Sequence, residues 1–493
     1  MTEEELQEKV KYVQQAKFEA QTLELKAAQK GCPQKLYDTL SSFSNQDGGG
    51  TILFGIDEEN DFSAVGVYDA QDIQKKINAQ CLQMEPMVRP VLTVTMIDGK
   101  YFVAAEIPSI DISERPCYYR GKGRIKGSYV RVGDSDEPMT EYEIYSYEAF
   151  RRKYQDEIRT ANRVTPGSLD QNKLNEYLHR LRLGKPNLSQ LSDTQIENLM
   201  SITKDESITL WASLLFGLYP QAYYPQLSII ATVVPGLQVG DLGLEEERFL
   251  DNERIEGDLA QMLERALQFV RRNIKSKTII NKETGKREDR TEYPMNAVRE
   301  AILNALVHRD YSIHTEGMPI QIQLFDDRME IRSPGGLYGR LTIDQLGKVQ
   351  PDTRNPMLAS AMETLHLTEN RYSGIPIIKK EMASYGLPPA ELEDKRGTFI
   401  VTFRKKAQTT EAAPLADNDV KGKNLLNFCQ IPRSRAEIAD FLGIKTTRYV
   451  MQQYIKPLLE ANKLQMTIPE QPRSHKQKYF SHRLARQQEK TDN

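Results

Sequence analysis

The first part of the chain changes between two hydrophobic periods, and each period predicts a type of element. An amphipathic helical stretch within residues 1–30 gives way to strict alternation in Thr22-Leu23-Glu24-Leu25-Lys26, which is typical of a half-buried strand. Residues 51–56 are apolar and rich in β-forming side chains, as in a buried strand. The other predicted elements are a helix over 33–43 and strands over 91–96 and 101–107, joined by Asp98-Gly99.

The rest of the chain reads as helices followed by a second group of strands. Residues 155–210 predict polar helices, and 207–235 is the longest apolar region. Because this region contains the single tryptophan, Trp211, it predicts a central core. Helical periodicity covers 255–275 and 294–310. The last predicted elements are a hairpin over 320–331, turning at Asp326-Asp327, and a strand over 398–403.

These patterns predict an α+β multidomain chain, because 493 residues exceed what one ordinary core includes. A stretch of Lys, Ala, Thr and Asp with few large apolar residues predicts a linker before a small last domain. The predicted parts are a first domain at 1–154, a connecting domain at 155–290, a third domain at 291–404, a linker at 405–423, a last domain at 424–484 and a disordered tail at 485–493.

Bulk properties argue against a membrane-embedded or secreted protein. The mean hydropathy is −0.58, no apolar run approaches the roughly 18 residues of a membrane span, and the first residues lack a secretion signal. We therefore expect a cytoplasmic protein. Four well-separated cysteines predict free thiols. With a net charge of −3, any contact with nucleic acid must come from local basic patches.

Acidic residues gather around the first alternating strand. Alternation puts Glu24 and Lys26 on the face opposite the two leucines. Glu19 lies just before this strand, and Asp57 directly follows the apolar run 51–56. Three carboxylates and a lysine could hold Mg²⁺ or Mn²⁺ and support hydrolysis of a phosphodiester. The alternative is a solvated strand face with surface ion pairs.

The motifs around these residues resemble the Schlafen AlbA-like domain. The resemblance is carried by Glu19-x4-Glu24-Leu25-Lys26, Phe43-Ser44-Asn45, the segment 48–57 and Val65-Gly66-Val67. In nuclease-active relatives two glutamates and an aspartate form an RNA-cleaving centre. The resemblance therefore implies catalytic and metal-binding roles for Glu19, Glu24 and Asp57, with Lys26 as electrostatic support. Many bacterial relatives with the same glutamate spacing are instead described as DNA-binding regulators.

Two further features of this region have local explanations. The glycines at 48–50 predict a tight turn into the strand, since glycine tolerates positive φ. Residues 118–131 combine five cations with three tyrosines, which could contact phosphates and stack on unpaired bases. The alternative for 118–131 is a solvated basic hairpin. The candidate phosphate contacts are Arg120, Lys122, Arg124, Lys126 and Arg131.

One polar stripe lies on an otherwise apolar predicted helix. Glu300, Asn304 and His308 recur at intervals of four, so they share one face. A largely buried helix must turn such a stripe toward solvent or a polar ligand. Asparagine in this stripe suits a Mg²⁺-phosphate ligand, and glutamate suits the orientation of a water molecule.

Together with later motifs, the stripe makes residues 290–404 resemble the GHKL-type ATPase-like domain, an α/β sandwich. Those motifs lie at 308–311, 326–331, 333–337, 354–356 and 369–374. In ATP-binding relatives the helix glutamate activates water and the asparagine holds Mg²⁺. The usual Asp-x-Gly-x-Gly adenine motif is replaced here by Ser-Pro-Gly-Gly, so ATP binding and a degenerate structural fold both stay open. The implied cofactor-binding set is Glu300, Asn304, Asp327, Gly335 and Gly336.

The last domain has the element pattern of a winged helix. Ser434 to Glu437 is a capping box that opens a helix, Gly443 can end it, and a second helix begins near Thr446. The start of the second helix contacts the DNA groove in a helix-turn-helix, which makes Lys445 and Arg448 candidate contacts. Winged helices also mediate protein contacts, so both roles stay open.

Three functions follow from these features. The first is a metal-dependent endonuclease that acts on structured, tRNA-like RNA. The second is an ATP-responsive DNA-binding transcriptional regulator without nuclease activity. The third is an ATPase that works on protein partners. RNA and DNA are thus the candidate partners, a membrane is not, and a homodimer would pair two AlbA-like units into the groove of Schlafen relatives.

Overall fold

The chain forms two compact units, Met1–Lys405 and Lys406–Asn493. The first unit ends where the sequence places the end of the third domain. The predicted linker beyond Lys405 and the predicted tail lie outside the described residues. The computed structural model describes residues 1–243, 246–280, 287–350, 352–368, 374–405, 425–426, 428–442, 447–460, 463–469 and 477–481.

The amino-terminal part of the first unit contains five helices and ten strands. Its helices are α1 (Glu3–Ala16), α2 (Tyr37–Asn45), α3 (Ala70–Cys81), α4 (Gly123–Gly127) and α5 (Glu141–Arg152). Its strands are β1 (Leu23–Lys26), β2 (Gly50–Phe54), β3 (Ile56–Asp57), β4 (Ser63–Ala64), β5 (Met84–Glu85), β6 (Val91–Ile97), β7 (Lys100–Ile107), β8 (Tyr118–Tyr119), β9 (Tyr129–Val132) and β10 (Ser135–Pro138).

A four-stranded sheet in the order β1-β2-β7-β6 forms the centre of this part, and β1 runs parallel to β2. Because side chains alternate along a strand, both faces of the sheet carry apolar residues. Leu25 and Phe102 pack on one face with α1, while Ile52 and Val103 pack on the other with α2 and α3. The predicted strand over 22–26 and its buried leucine face are therefore confirmed.

The remainder of the first unit is longer and has its own sheet. Its helices are α6 (Gln171–Gly184), α7 (Asp193–Leu199), α8 (Leu210–Phe216), α9 (Leu259–Asn273), α10 (Met295–Val307), α11 (Pro356–Thr364) and α12 (Gly374–Ser384). Its strands are β11 (Thr203–Lys204), β12 (Ser207–Ile208), β13 (Ile229–Val233), β14 (Asp251–Ile255), β15 (Ser276–Ile280), β16 (Arg287–Thr291), β17 (Ile320–Leu324), β18 (Arg328–Pro334), β19 (Glu391–Asp394) and β20 (Thr398–Arg404).

Six of these strands form one sheet in the order β14-β13-β17-β18-β20-β19. Strands β17 and β18 pair antiparallel, which confirms the predicted hairpin. The sequence places a domain boundary at 290, but β13 and β14 precede it and belong to the same sheet as the later strands. One continuous core includes Trp211 from before the boundary and Phe403 from after it. The predicted connecting and third domains are therefore one structural body.

The second unit is described only in part. Its described elements are β21 (Arg433–Ser434), α13 (Arg435–Leu442), α14 (Thr447–Val450), a π-helical turn (Met451–Ile455), α15 (Lys456–Glu460), β22 (Leu464–Met466) and β23 (Lys478–Ser481). The three strands form a sheet in the order β21-β23-β22. The predicted capping box is confirmed, since the Glu437 amide donates to Ser434 Oγ and the Ser434 amide donates to the Glu437 carboxylate. The winged helix itself stays a prediction.

None of the helices in the described part of the chain has both the length and the apolar character needed to cross a membrane. All four cysteines carry free thiols, and Cys81, Cys117 and Cys429 are buried.

Candidate functional site

The two amino-terminal glutamates converge on one buried arginine. A carboxylate oxygen of Glu24 lies 2.9 Å from Arg131 Nη1, and one of Glu19 lies 3.8 Å from Arg131 Nη2. The other Glu24 oxygen accepts from Lys26 Nζ, and Glu19 Oε1 accepts from the Leu25 amide at 2.6 Å. Glu24 is only 8% exposed, because the face of β1 opposite its leucines is also covered by protein. The fold thus brings Glu19, Glu24 and Lys26 close together, but in a largely buried place and around Arg131, which the sequence does not assign to this group.

Arg131 is the centre of this arrangement, and its predicted role as a phosphate contact is wrong. Only 4% of the residue is exposed, so its guanidinium cannot reach a nucleic-acid backbone. Its Nη1 also bonds Asp136 at 2.9 Å, its Nη2 donates to the Leu23 carbonyl at 3.2 Å, and its guanidinium lies 5.2 Å from the centre of the Phe43 ring. We call Glu19, Glu24, Lys26, Arg131 and Asp136 the charge cluster.

Glu19 has the most perturbed acidity in the charge cluster. Burial raises its pKa to about 7, the neighbouring Glu24 and Glu58 carboxylates add to the increase, and the Leu25 amide and Lys26 oppose it. Glu58 directly follows Asp57 and belongs to none of the motifs, so nothing in the sequence marks it as a neighbour of Glu19. A carboxyl group that exchanges its proton near neutral pH is suited to acid–base chemistry.

The carboxylates as arranged do not fit a bound Mg²⁺ or Mn²⁺. Among the described residues, no group of three His, Cys, Asp or Glu side chains is placed to hold a metal ion. Asp57 is therefore not brought into a three-carboxylate centre with Glu19 and Glu24. Arg131 already supplies the positive charge that a cation would supply to Glu24. The metal-binding roles stay predictions that the geometry does not support.

The candidate basic segment consists of β8, the short helix α4 and β9, and it leaves Arg120, Lys122 and Lys126 exposed. Arg120 follows β8, and Lys126 lies on α4. Arg120 has its guanidinium 3.1 Å from Glu85, but both side chains are at least half exposed. An exposed ion pair of this kind is weak and can be exchanged for a phosphate contact. Arg120 and Lys126 are therefore accessible to a polyanion.

Lys122 and Arg124 of this segment make local contacts. Lys122 Nζ lies 3.2 Å from Asp38 and donates to the Tyr129 hydroxyl at 3.0 Å. Arg124 pairs with Glu148 and lies 5.5 Å from the centre of the Tyr118 ring. Lys122 is exposed while Arg124 is half-buried, so Lys122 is the more accessible of the two.

Buried polar side chains of α2 fix the ends of the basic segment. Asn45 Nδ2 donates to the carbonyls of Cys117 and Tyr129 at 2.9 and 3.1 Å, and Asn45 Oδ1 accepts from the Cys117 amide at 2.6 Å. Ser41 Oγ donates to the same Cys117 carbonyl and accepts from the Tyr129 amide. Asn45 belongs to the Phe43-Ser44-Asn45 motif, but the motif alone does not indicate its role. Its role is to position the segment that carries Arg120 and Lys126.

The glycine run is a turn, as predicted. Gly48 and Gly49 have φ of +83° and +69°, which is unfavourable for other residues. A Cβ at Gly49 would lie 2.1 Å from the Ile107 carbonyl oxygen, so the close approach of β7 also requires glycine.

A cavity of about 480 Å³ lies beside α10, and we call it the α10 cavity. Glu300 and Asn304 line it from α10, and Gly374 at the start of α12 faces them. A Cβ at Gly374 would lie 2.9 Å from Asn304 Nδ2 and 3.0 Å from a Glu300 carboxylate oxygen. Arg299 Nη1 lies 3.5 Å from Glu300. The predicted polar stripe therefore faces a cavity and not bulk solvent.

Two basic residues stand at the same cavity wall. His308 is partly exposed and lines the cavity. Burial, and then the nearby Arg354 charge, lower the pKa of His308 to about 4, so its imidazole is neutral at pH 7. Arg354 is 8% exposed and also lines the cavity.

The Ser-Pro-Gly-Gly loop lines the cavity, but Asp327 does not. Gly335 has φ of +103°, and a Cβ there would lie 2.2 Å from Arg354 Nη1. Arg354 Nη2 donates to the Gly336 carbonyl at 3.1 Å. Asp327 lies in the β17–β18 turn, where it bonds Arg328 at 2.9 Å and is 41% exposed. Asp327 is not among the residues that line the cavity, and its cofactor-binding role stays a prediction that this placement does not support.

Two of the predicted DNA contacts belong to the second unit. Lys445 and the side chain of Arg448 lie outside the described residues, as do the motif residues 369–373 of the third predicted domain.

Three family models match separate parts of the chain. Residues 19–140 match the family described as Schlafen, AlbA_2. The amino-terminal part of this chain is a Schlafen AlbA_2 domain. Residues 317–403 match the ATPase-like family described as "Putative ATP-dependent DNA helicase recG C-terminal". Residues 421–484 match "Filamentation induced by cAMP protein Fic-like, C-terminal domain".

Solved structures give weaker likenesses to the chain that contains this Schlafen AlbA_2 domain. The DIP2311 protein from Corynebacterium diphtheriae is 18% identical over 93% of each chain, with a TM-score of 0.38. The N-terminal domain of a protein titled putative ATP-dependent DNA helicase RecG-related, from Nitrosomonas europaea, is 24% identical. That likeness covers 28% of this chain and 94% of the other, with a TM-score of 0.22. No curated protein matches the chain.

Proposed function

We propose that this chain binds nucleic acid through its Schlafen AlbA_2 domain and a nucleotide in the α10 cavity. The observation that carries the proposal is the cavity itself, because a stripe of polar residues on an otherwise buried helix lines its wall. Its volume of about 480 Å³ lies within the usual range for small-molecule and cofactor sites. This function corresponds to a nucleotide-responsive regulator that binds DNA or RNA.

The residues of the cavity fit ATP with Mg²⁺. The Asn304 side-chain oxygen would be a ligand for the metal, and Glu300 would orient a water molecule. The start of α12 faces both residues, and backbone amides at the start of a helix favour anionic groups. Bound ATP would supply a phosphoanhydride bond. Apolar side chains complete the cavity and would exclude water from the base: Ile331, Leu341, Leu346, Ile375, Ile378 and Phe399.

Equilibrium binding of ATP tests this half of the proposal. Calorimetric titration of the wild-type protein with ATP and Mg²⁺ should give saturable binding. Asn304→Ala should weaken it about tenfold or more, because a charge-assisted contact to the metal-phosphate group is lost. Asn172→Ala makes the same substitution at an exposed position of α6 and should leave the Kd unchanged. Wild-type protein that does not bind ATP would contradict the proposal.

The nucleic-acid half of the proposal is supported by the matched domain and its exposed cations. Arg120, Lys122 and Lys126 lie on one segment that Asn45 ties to the domain core. Nucleic acid binds such segments chiefly through phosphate contacts, which release counterions. Binding should therefore weaken as salt is added.

An endonuclease is the second candidate. The observation in its favour is that Glu19 and Glu24 are close together beside Lys26, as in the predicted catalytic set. Incubation with tRNA, an mRNA-like transcript and duplex DNA, each with Mg²⁺ or Mn²⁺, tests it. Cleavage by the wild type that is lost in both Glu24→Ala and Asp57→Ala would support the assigned residues. Absence of cleavage would favour the regulator.

A further inference from the structure

Arg354 occupies an unusual position in the wall of the α10 cavity. Its guanidinium is almost fully buried and lies 5.2 Å from the centre of the Tyr338 ring. Nη1 lies 3.2 Å from Asp310 Oδ2, but among the described residues it has no well-aligned hydrogen-bond acceptor. Asp310 is thus an ionic partner of Nη1 but does not satisfy its N–H groups, and a buried donor favours a ligand that supplies an acceptor. An anionic oxygen in the cavity would provide the missing acceptor.

Asp310 connects Arg354 to a different part of the chain. Its Oδ2 also accepts from the Tyr142 hydroxyl at 2.8 Å, and its Oδ1 accepts from the Ser312 amide at 2.8 Å. Burial would raise the pKa of Asp310, but Arg354, the Ser312 amide and Tyr142 together hold it below its usual value. Asp310 is therefore a buried carboxylate whose charge depends on Arg354.

Tyr142 lies on α5, which begins directly after the Schlafen AlbA_2 match. Strand β10 precedes α5, and Asp136 on this strand is bonded to Arg131 of the charge cluster. The ring of Tyr142 packs on the backbone of Gly397, where a Cβ would lie 2.5 Å from the ring. Phe150, near the other end of α5, contacts Tyr338 of the cavity wall edge to face at 5.5 Å. Helix α5 therefore packs against the loops that form the cavity.

We propose that Arg354 is the anion-binding residue of the α10 cavity, and that Asp310 and Tyr142 link the bound anion to the Schlafen AlbA_2 domain. This inference rests on the proposed nucleotide site and adds its regulation. The ligand class is an organic phosphate. A phosphate group that pairs with Arg354 weakens the ion pair between Arg354 and Asp310. The Asp310 carboxylate then accepts a stronger hydrogen bond from the Tyr142 hydroxyl. Because Tyr142 lies on α5, this change in the hydrogen bond shifts α5 and the preceding strand β10.

Thermodynamic linkage makes this inference measurable. If ATP changes the affinity for nucleic acid, nucleic acid must change the affinity for ATP by the same factor. The test measures the Kd of a labelled RNA hairpin and of a labelled DNA duplex by fluorescence anisotropy, with ATP and Mg²⁺ present or absent. We expect saturating ATP to change the affinity for at least one of them by about fivefold or more. Adenosine, which lacks the anion, should change neither affinity.

Tyr142→Phe is the decisive variant, because it retains the ring and removes only the hydroxyl. It should bind ATP alone and nucleic acid alone as the wild type does. The change in nucleic-acid affinity that ATP causes should, however, fall below about twofold. Tyr12→Phe is the matched control. It makes the same substitution at an exposed position of α1, so this variant should retain the full effect.

The outcomes separate this inference from the proposed function. Absence of ATP binding in the wild type would contradict the proposed function. ATP binding without any effect on nucleic-acid affinity, or an undiminished effect in Tyr142→Phe, would overturn the link alone. Arg354→Lys retains the charge but loses the planar guanidinium, and it should weaken ATP binding about tenfold while leaving adenosine binding unchanged. Equal losses for ATP and adenosine would overturn the anion-binding role.

Discussion

Arg131 shows how strongly a single residue determines the properties of the Schlafen AlbA_2 domain. Its guanidinium is bonded to Glu24 and Asp136 at 2.9 Å each, and the three side chains have little contact with solvent. Breaking a buried ion pair by removing one partner usually costs more than the pair contributes, because the remaining charge stays buried. The charge cluster is therefore a structural element as well as a candidate site.

Arg131→Met should destabilise the protein by about 3–5 kcal/mol, because two buried carboxylates lose their cation. Denaturant titration of the full chain measures the free energy of unfolding. Arg120→Met makes the same replacement at an exposed position, and it should change stability by less than about 0.5 kcal/mol. Equal effects of the two substitutions would show that Arg131 does not stabilise the charge cluster.

Gly335 is the second position where one residue decides the local geometry. Gly335→Ala should weaken ATP binding about tenfold or more, because φ of +103° disfavours alanine and the new Cβ would displace Arg354. The measurement is the Kd for ATP by calorimetry. Gly184→Ala adds a methyl group in open space near the end of α6 and is the control. An unchanged Kd in Gly335→Ala would contradict the placement of Arg354 at the ligand.

Sequence alone predicts the residue types of the charge cluster but not their partners. The alternating apolar and polar residues around Glu24 predict a strand, because side chains point to opposite faces in turn along a strand. Arg131 is more than a hundred residues away in sequence, and only the folded sheet shows that it points inward. Arg354 and Asp310 were likewise visible in motifs, but their ion pair depends on loops that come from different parts of the chain.

At the scale of elements, helix α11 depends on a carboxylate from another segment. The amides of Met357 and Leu358, in the first turn of α11, donate to the two oxygens of Glu157 at 2.8 and 2.9 Å. Asn355 at the N-cap makes no side-chain capping bond of its own. Glu157 therefore takes the role that a local capping residue usually performs.

Glu157→Gln should reduce the dependence of stability on pH. Burial raises the pKa of Glu157 to about 7 in the folded protein, from an ordinary value of 4.5. The folded state therefore binds the proton of Glu157 more tightly than the unfolded state does. The contribution of Glu157 to stability is thus greatest below pH 4.5 and is lost as pH rises through 7. Between pH 5 and 8 this loss is on the order of 2–3 kcal/mol, and the variant should lack it. Parallel stability curves for both proteins would contradict this role.

The elements themselves were predicted unevenly, for physical reasons. Long amphipathic helices and the β17–β18 hairpin follow directly from their periodicity. The short helix α4 was missed because five residues cannot show a period. The shared sheet of 155–290 and 291–404 was missed because pairing between distant strands leaves no local pattern in either one.

At the scale of the whole molecule, the proposed nucleotide site and the proposed basic segment of the Schlafen AlbA_2 domain both lie in the first unit. All residues that line the α10 cavity precede Lys405. A chain ended after Lys405 should therefore bind ATP with a Kd within about twofold of the full chain, as calorimetry would measure. A much larger loss would show that the second unit contributes to the nucleotide site.

Nucleic-acid binding by the Schlafen AlbA_2 domain is tested most directly by anisotropy titration of a labelled RNA hairpin and a labelled DNA duplex over a range of salt concentrations. The wild type should bind at least one of them. Arg120→Gln with Lys126→Gln should weaken that binding and lower the slope of log K against log salt by about 1.5–2. Lys11→Gln with Lys75→Gln changes the charge equally elsewhere on the domain and should leave both quantities unchanged. Absence of binding, or equal effects of the two double variants, would contradict the account.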